Sequence, residues 1–368
     1  MRTIPLEDCC EILDYQRVPI TATNRTEGPY PYYGANGVQD YVDDYIFDDD
    51  LVLLAEDGGN FGSKTRPIAY RVSGKCWVNN HAHVLKPKNG FDVDFVCYSL
   101  MFYNTDGLVN GATRQKLTQA TMRKMLIPDL PIENQQEIVN RLNRIVEIKK
   151  LHMQELQKID ELIKSRFVEM FGDMILNPNG WERVMLGMVC DIRDGTHDSP
   201  KYYMEGYPLV TSKNVTGGRI DFTDCSLICE EDYNKINQRS KVDVGDILMP
   251  MIGTVGNPVI VDIDAEFAIK NVALIKFRED AKVVNIFVKA LLKSDYFDAI
   301  VLSKVRGGTQ KFISLGDIRK LELFLPPIGL QNQFADFVNQ IDKSKVAVQK
   351  SLDETQLLFN SLMQKYFG

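Results

Sequence analysis

Residues 123–172 align with residues 319–368 at a constant offset of 196, without a gap. Arg123-Lys124 falls on Arg319-Lys320, Pro131-Ile132 on Pro327-Ile328, Gln135 on Gln331 and Asn143 on Asn339. Farther on, Ile145 meets Ile341, Leu156 meets Leu352, Ser165 meets Ser361, and Phe171-Gly172 meets Phe367-Gly368. Fifty positions in phase are a duplication. Whatever the first block folds into, the second must fold into as well.

Both blocks read as long helices. Stepping alternately by 4 and 3 from Ile138 passes Leu142, Ile145, Lys149, His152, Leu156, Ile159, Ile163, Arg166 and Met170, and seven of those ten positions are apolar. The same steps in the second block pass Phe334, Val338, Ile341, Lys345, Val348, Leu352, Thr355, Phe359, Leu362 and Tyr366. A 3.5-residue apolar spacing describes helices that pack along their length. Leu130-Pro131 and Pro326-Pro327 give each helix a proline entry. A helix from about 132 to 170 runs roughly 58 Å. The two stripes are equal in length and phase, so the expectation is that they pack on each other, antiparallel and pseudo-twofold.

The flanking segments are related more faintly. Leu6, Cys10 and Ile12 sit like Leu186, Cys190 and Ile192. Tyr30-Pro31 resembles Tyr207-Pro208, and Asp50-Leu51-Val52-Leu53 with Gly58 resembles Asp246-Ile247-Leu248-Met249 with Gly253. Asn80-His81-Ala82 resembles Asn271-Val272-Ala273. Each segment ends in an apolar helix candidate, around 92–103 and 283–302, followed by a basic glycine loop, at 111–116 and 307–311. Strands with short turns dominate, so the fold class is α+β: two α/β domains separated by two long helices. The boundaries fall at 1–128, 129–172, 173–324 and 325–368.

Composition narrows the function. No stretch approaches the 18 apolar residues or so of a membrane span, and the first eight residues lack the apolar core of a signal peptide. A cytoplasmic protein without membrane contact is expected. Seven cysteines, with Cys9 and Cys10 adjacent, suit buried reduced thiols better than a disulfide framework or a metal site. A net charge of −7 argues against non-specific coating of DNA but leaves local cationic patches open. Several decoys fall away. Gly58-Gly59-Asn60-Phe61-Gly62-Ser63-Lys64-Thr65 has phosphate-loop spacing, but Ser63 replaces the second glycine and Arg66-Pro67 bars a following helix. No cofactor loop and no Asn-Pro-Pro-Tyr motif for amino methylation occur, so neither cofactor nor catalytic residue is assigned. His81 and His83 alternate on a strand and should point the same way, as polar residues for a ligand rather than as a metal pair.

DNA contact requires Lys and Arg for phosphates, and Asn, Gln or Arg for base edges. In the first domain the best set is Asn36, Lys64, Arg66, Asn79, Asn80, His81, Arg114, Gln115 and Lys116. In the second it is Lys201, Ser212, Lys213, Asn214, Lys270, Asn271, Arg306, Thr309, Gln310 and Lys311.

The order of parts resembles the specificity subunit of Type I restriction–modification systems, and the likeness covers essentially the whole chain. Its most specific stretches are 30–37, 53–58, 77–85, 209–215 and 253–256, together with the proline entries at Pro131 and Pro326-Pro327. The resemblance implies two target-recognition domains that read double-stranded DNA as a bipartite target. It also implies two methyltransferase (modification) subunits and restriction endonuclease/translocase subunits as partners. The family's Glu-Gln after the helix-entry proline is changed here, with Asn134 and Leu330 at the glutamate position. A different class, a helical scaffold that assembles proteins without binding DNA, matches the acidic net charge but leaves the repeated basic glycine loops unexplained.

Overall fold

The duplicated blocks form two helices of 40 residues each, Ile132–Phe171 and Ile328–Phe367. Proline supplies the entry as expected: Pro131 O accepts from Asn134 N and Gln135 N, and Pro327 O accepts from Leu330 N and Gln331 N. Its fixed φ suits a first turn whose own N–H groups would have no intrahelical partner. This computed structural model describes residues 2–111, 114–252, 256–300 and 312–368. The chain divides into two compact units, Met1–Met153 with Lys350–Gly368, and Gln154–Gln349, so each unit holds part of both long helices. Among the described residues no helix is long and apolar enough to cross a membrane.

Within each unit the helix segments run antiparallel. In the first, Arg141 bonds Tyr366 and Lys149 bonds Gln356. In the second, Lys345 bonds Asp160 and Phe334 packs on Phe167 and Phe171. The stripe residues bury themselves against the local domain. Ile138, Leu142 and Ile145 pack with Phe359, Met363 and two residues of helix Val93–Met101, Phe95 and Tyr98. In the second unit Phe334 and Val338 join Phe167, Phe171 and Phe287, the last from helix Asn285–Leu292. Burying each such aromatic is worth roughly 2–3 kcal/mol. The expected helix at 283–302 is two helices, Asn285–Leu292 and Asp295–Ile300.

A buried glutamine fixes each long helix to its domain. Gln135 Nε2 donates to Gly90 O and Leu130 O, while its Oε1 accepts from Asp92 N. Gln331 repeats the set: Nε2 donates to Lys282 O and Pro326 O, and Oε1 accepts from Val284 N. Asp92 and Val284 are the residues immediately preceding the two domain helices.

The sheets share one plan. The first unit has a six-stranded sheet in the order Cys10–Ile12, Ala82–Pro87, Phe47–Ala55, Ala69–Val78, Tyr30–Gly34, Gly37–Val42. All its pairs are antiparallel except Tyr30–Gly34 with Ala69–Val78. Residues 51–55 are fully buried, with Val52 and Leu54 facing one core and Leu51 and Leu53 the other. The second unit orders Asp191–Asp194, Val272–Lys276, Ile247–Pro250 and Val259–Ile260 in one sheet. A second sheet holds Ser226–Ile228, Tyr207–Val210 and Ala268–Ile269, the last two strands parallel. All seven cysteines are free; burial pushes the Cys76, Cys97 and Cys190 thiols up to about 12, which leaves them inert at neutral pH.

Candidate nucleic-acid interface

In the first unit the candidate residues meet where strands Phe47–Ala55 and Ala82–Pro87 end side by side, in register at Ala55 and Ala82. Beyond that register, Glu56 N and Asp57 N both donate to His81 O. The loop carrying Arg114, Gln115 and Lys116 lies along this edge: Gly58 N donates to Gln115 O, and Leu117 N donates to Glu56 O. Asn36, in the turn after Tyr30–Gly34, reaches the same place and donates to Gly58 O at 3.0 Å. Asn36, Asn80, Arg114, Gln115 and Lys116 are exposed there, and His81 is half-buried. Lys64 and Arg66 are exposed in the loop that follows Gly58.

Two carboxylates hold the cations of this rim. Asp57 lies 2.7 Å from Arg114 and 2.6 Å from His81, and Glu56 lies 3.0 Å from Lys116. Behind them stands a buried network. Arg17 donates to Glu56 at 2.6 Å, His83 bonds Asp14 at 2.6 Å and Leu117 O at 2.9 Å, and Gln119 donates to Asp14 at 2.9 Å. Burial works against ionisation of Asp14 and Glu56, yet these hydrogen bonds hold both carboxyls below their ordinary range. Asp14, Glu56 and His83 are the residues, among those described, whose spacing suits a metal ion. The Arg17 guanidinium and Lys116 ammonium already supply positive charge at the two carboxylates, so the group reads as an ion network tying residues 14–17 to the loop at 114–119.

Two expectations need correction on placement. His81 and His83 do not point together: His81 sits in the turn before its strand, bound to Asp57, whereas His83 is fully buried with both ring nitrogens facing protein oxygens. His83 therefore cannot meet a ligand. Asn79 is also buried; its side chain donates to Gln39 and accepts from His81 N, which shapes the turn presenting Asn80.

The second unit builds a corresponding rim from the ends of Asp191–Asp194, Tyr207–Val210 and Val272–Lys276. Gly195 N donates to Val272 O, Thr196 N to Ile269 O, Asn271 N to Thr196 O, and Lys270 N to Val210 O. A Cβ on Gly195 would stand 2.1 Å from Ile269 O, so only glycine permits this approach. Lys270 Nζ donates to Ser199 at 2.6 Å, and Ser212 reaches Asn271 O at 3.5 Å. Asn214 is buried and closes its own turn by accepting from Thr211 N and Oγ1. Lys213 and Lys201 are exposed, the latter 5.5 Å above the Tyr203 ring. Arg306, Thr309, Gln310 and Lys311 lie outside the described residues.

The rims bring together Asn36, Asn80, His81, Arg114, Gln115 and Lys116 on one side, and Ser212, Lys213, Lys270 and Asn271 on the other. Sequence reasoning missed the residues that hold them: Asp14, Arg17, Glu56, Asp57, Asp194 and His197. A signal existed for four of them. The offset of 180 that pairs Cys10 with Cys190 and Ile12 with Ile192 also places Asp14 on Asp194 and Arg17 on His197.

Comparison with known proteins agrees with this two-unit plan. A family model described as the type I restriction modification DNA specificity domain matches residues 1–161 and again 178–355. A putative type I restriction enzyme specificity subunit of Haemophilus influenzae is 26% identical over 352 residues, covering 92% of this chain and 86% of the relative. The type I restriction enzyme EcoBI specificity subunit of Escherichia coli is 20% identical over 282 residues, covering 69% and 59%. Among solved structures, the S subunit of a type I restriction-modification system from M. genitalium gives a TM-score of 0.58 at 15% identity, covering 100% of this chain and 96% of that one. A chain from a structural study of type I R-M complex assembly gives 0.52 at 18% identity, covering 100% and 97%.

Proposed function

The chain belongs to the type I restriction modification DNA specificity family, and on that premise we propose that it is a non-catalytic subunit reading a bipartite target in double-stranded DNA. Its role is sequence specificity within a restriction–modification complex. In our reading each unit reads one half-site, and the long helices set the interval between them. Two methyltransferase subunits supply S-adenosylmethionine chemistry, endonuclease/translocase subunits join them, and the complex works in the cytoplasm.

The observation that carries this reading is the doubled rim. Two units of one sheet plan expose amide and cationic side chains at the same strand ends, on loops anchored by buried carboxylates. Phosphate contact positions such a module, and base-edge contact gives it sequence preference. The absence of a cofactor loop from the sequence supports assigning catalysis to partner chains.

The test is methylome sequencing of a host carrying this chain with its methyltransferase partner, beside a host lacking only this chain. A split motif that disappears with the chain supports the proposal. A gel shift of the purified chain on pooled random duplexes separates it from a scaffold: no retarded duplex, together with an unchanged methylome, would favour a purely assembling role.

A further inference from the structure

The two units use one device at corresponding positions and finish it differently. After strand Cys10–Ile12, Asp14 reaches the residue three on, Arg17, at 3.5 Å. At the end of strand Asp191–Asp194, Asp194 likewise reaches the residue three on, His197, at 2.8 Å. Arg17 turns inward: its side chain is 13% exposed, and Nη1 donates to Glu56 and to Ala82 O. His197 turns outward, with its side chain 61% exposed.

An exposed side chain ordinarily keeps its rotamer freedom and loses it on binding. His197 has already lost it. Nε2 lies 2.8 Å from Asp194 Oδ2, and Nδ1 lies 2.7 Å from Asn271 Oδ1. Both anchors are themselves fixed. Asp194 is 7% exposed and also meets Arg239. Asn271 holds a left-handed φ of 55° and donates its N–H to Thr196 O. Gly195, between strand and histidine, admits no other residue. The result is a rigid imidazole plate at the rim that carries Ser212, Lys270 and Asn271.

We propose that His197 is a specificity-determining residue of the second half-site, reading a base pair by shape rather than by hydrogen bonding. This rests on the reading of the rim as a DNA interface. With both ring nitrogens engaged by the protein, what the side chain offers a ligand is a flat carbon edge and face. In the major groove the base-pair feature that matches such a surface is the thymine C5 methyl group. The same position then braces the first unit as an inward Arg17 and presents a reading surface in the second as an outward His197.

The experiment compares wild type with His197→Ala, each in complex with the methyltransferase partner, by motif mapping and by methyl transfer to duplexes varied one base pair at a time. The expected result is a loss of about tenfold in preference at one A·T pair of the second half-site. The first half-site and the log–log salt slope of binding should stay as in wild type. Asp194 keeps its contact with Arg239 when the imidazole is removed, so the variant should melt close to wild type. An unchanged preference at every position in His197→Ala overturns the proposal. So does equal weakening on all sequences with a slope shallower by about one, which would make His197 a phosphate contact. Failure of the underlying reading is separate: the wild-type complex itself would then show no split motif.

Discussion

Lys149 hydrogen-bonds Gln356, whereas its repeat counterpart Lys345 bonds Asp160 at 2.5 Å. The offset of 196 carries Lys149 onto Lys345 and Asp160 onto Gln356, so these are two copies of one contact, and one copy lacks its carboxylate. Lys149 also lies 5.2 Å above the Phe359 ring, and burial lowers its pKa. Gln356→Glu should restore the ion pair, raise the Lys149 pKa and stabilise the chain by about 0.5 kcal/mol. Asp160→Asn should destabilise by a similar amount. Urea unfolding at low and high salt checks both, since the effects should shrink as salt rises.

Gln135 and Gln331 should be far less tolerant. Gln135→Ala leaves Asp92 N, Gly90 O and Leu130 O without the partner they have now. Orphaning buried polar groups costs about 1–3 kcal/mol each, reduced where water replaces the amide. Either alanine variant is expected to lower the unfolding free energy by about 2–3 kcal/mol. Parallel melts of the two single variants test whether the duplicated staples are equivalent.

The Asp14–Glu56 network gives a specific acid response. Both carboxyls lie below their unfolded values in the folded chain, so their stabilising contribution is complete above the unfolded range, near pH 4, and is lost as pH falls through the folded values. Glu56→Gln should flatten stability against pH on that acid side while leaving the slope near neutrality unchanged. Urea midpoints from pH 3 to 7 provide the measurement. An acid limb as steep as wild type in Glu56→Gln would remove this carboxyl from the explanation.

Arg114 and Lys116, proposed here as phosphate contacts, are both held in ion pairs, with Asp57 and Glu56. Asp57→Asn should release Arg114 and strengthen binding to duplexes of every sequence, with a steeper salt dependence. Arg114→Ala and Lys116→Ala should weaken all sequences alike and flatten the log–log slope by about one. Fluorescence anisotropy on two unrelated duplexes over a salt series separates these outcomes. A changed sequence preference at constant slope would make the residue a base reader.

The proposed spacing role of the long helices is testable by length. Seven residues inserted after Glu155 keep the stripe in phase and lengthen one helix by about 10 Å; a matching insertion after Ser351 lengthens the other. The double variant should methylate the same two half-sites with a longer spacer. Two inserted residues would rotate the stripe and should destabilise the fold. An unchanged spacer in a well-folded double variant would exclude the helices as the ruler.

The helices were legible in the sequence because their signal is local. A stripe repeating every 3.5 residues and a proline at the entry lie within one stretch of chain, and Ile132–Phe171 and Ile328–Phe367 follow them to within a residue or so. The duplication did the same for the sheets, since Leu51–Leu53 and Ile247–Met249 fall on corresponding strands. The rims were legible only as residue types. Whether a polar side chain faces outward depends on partners remote in sequence: His83 is claimed by Asp14 and Leu117, Lys116 by Glu56, and His197 by Asn271. Asn79 and Asn214 look like Asn36 in one dimension, yet buried turns consume their amides. Periodicity travels along the chain and can be read from it, whereas the satisfaction of a hydrogen bond or a charge is settled only when distant strands are brought edge to edge.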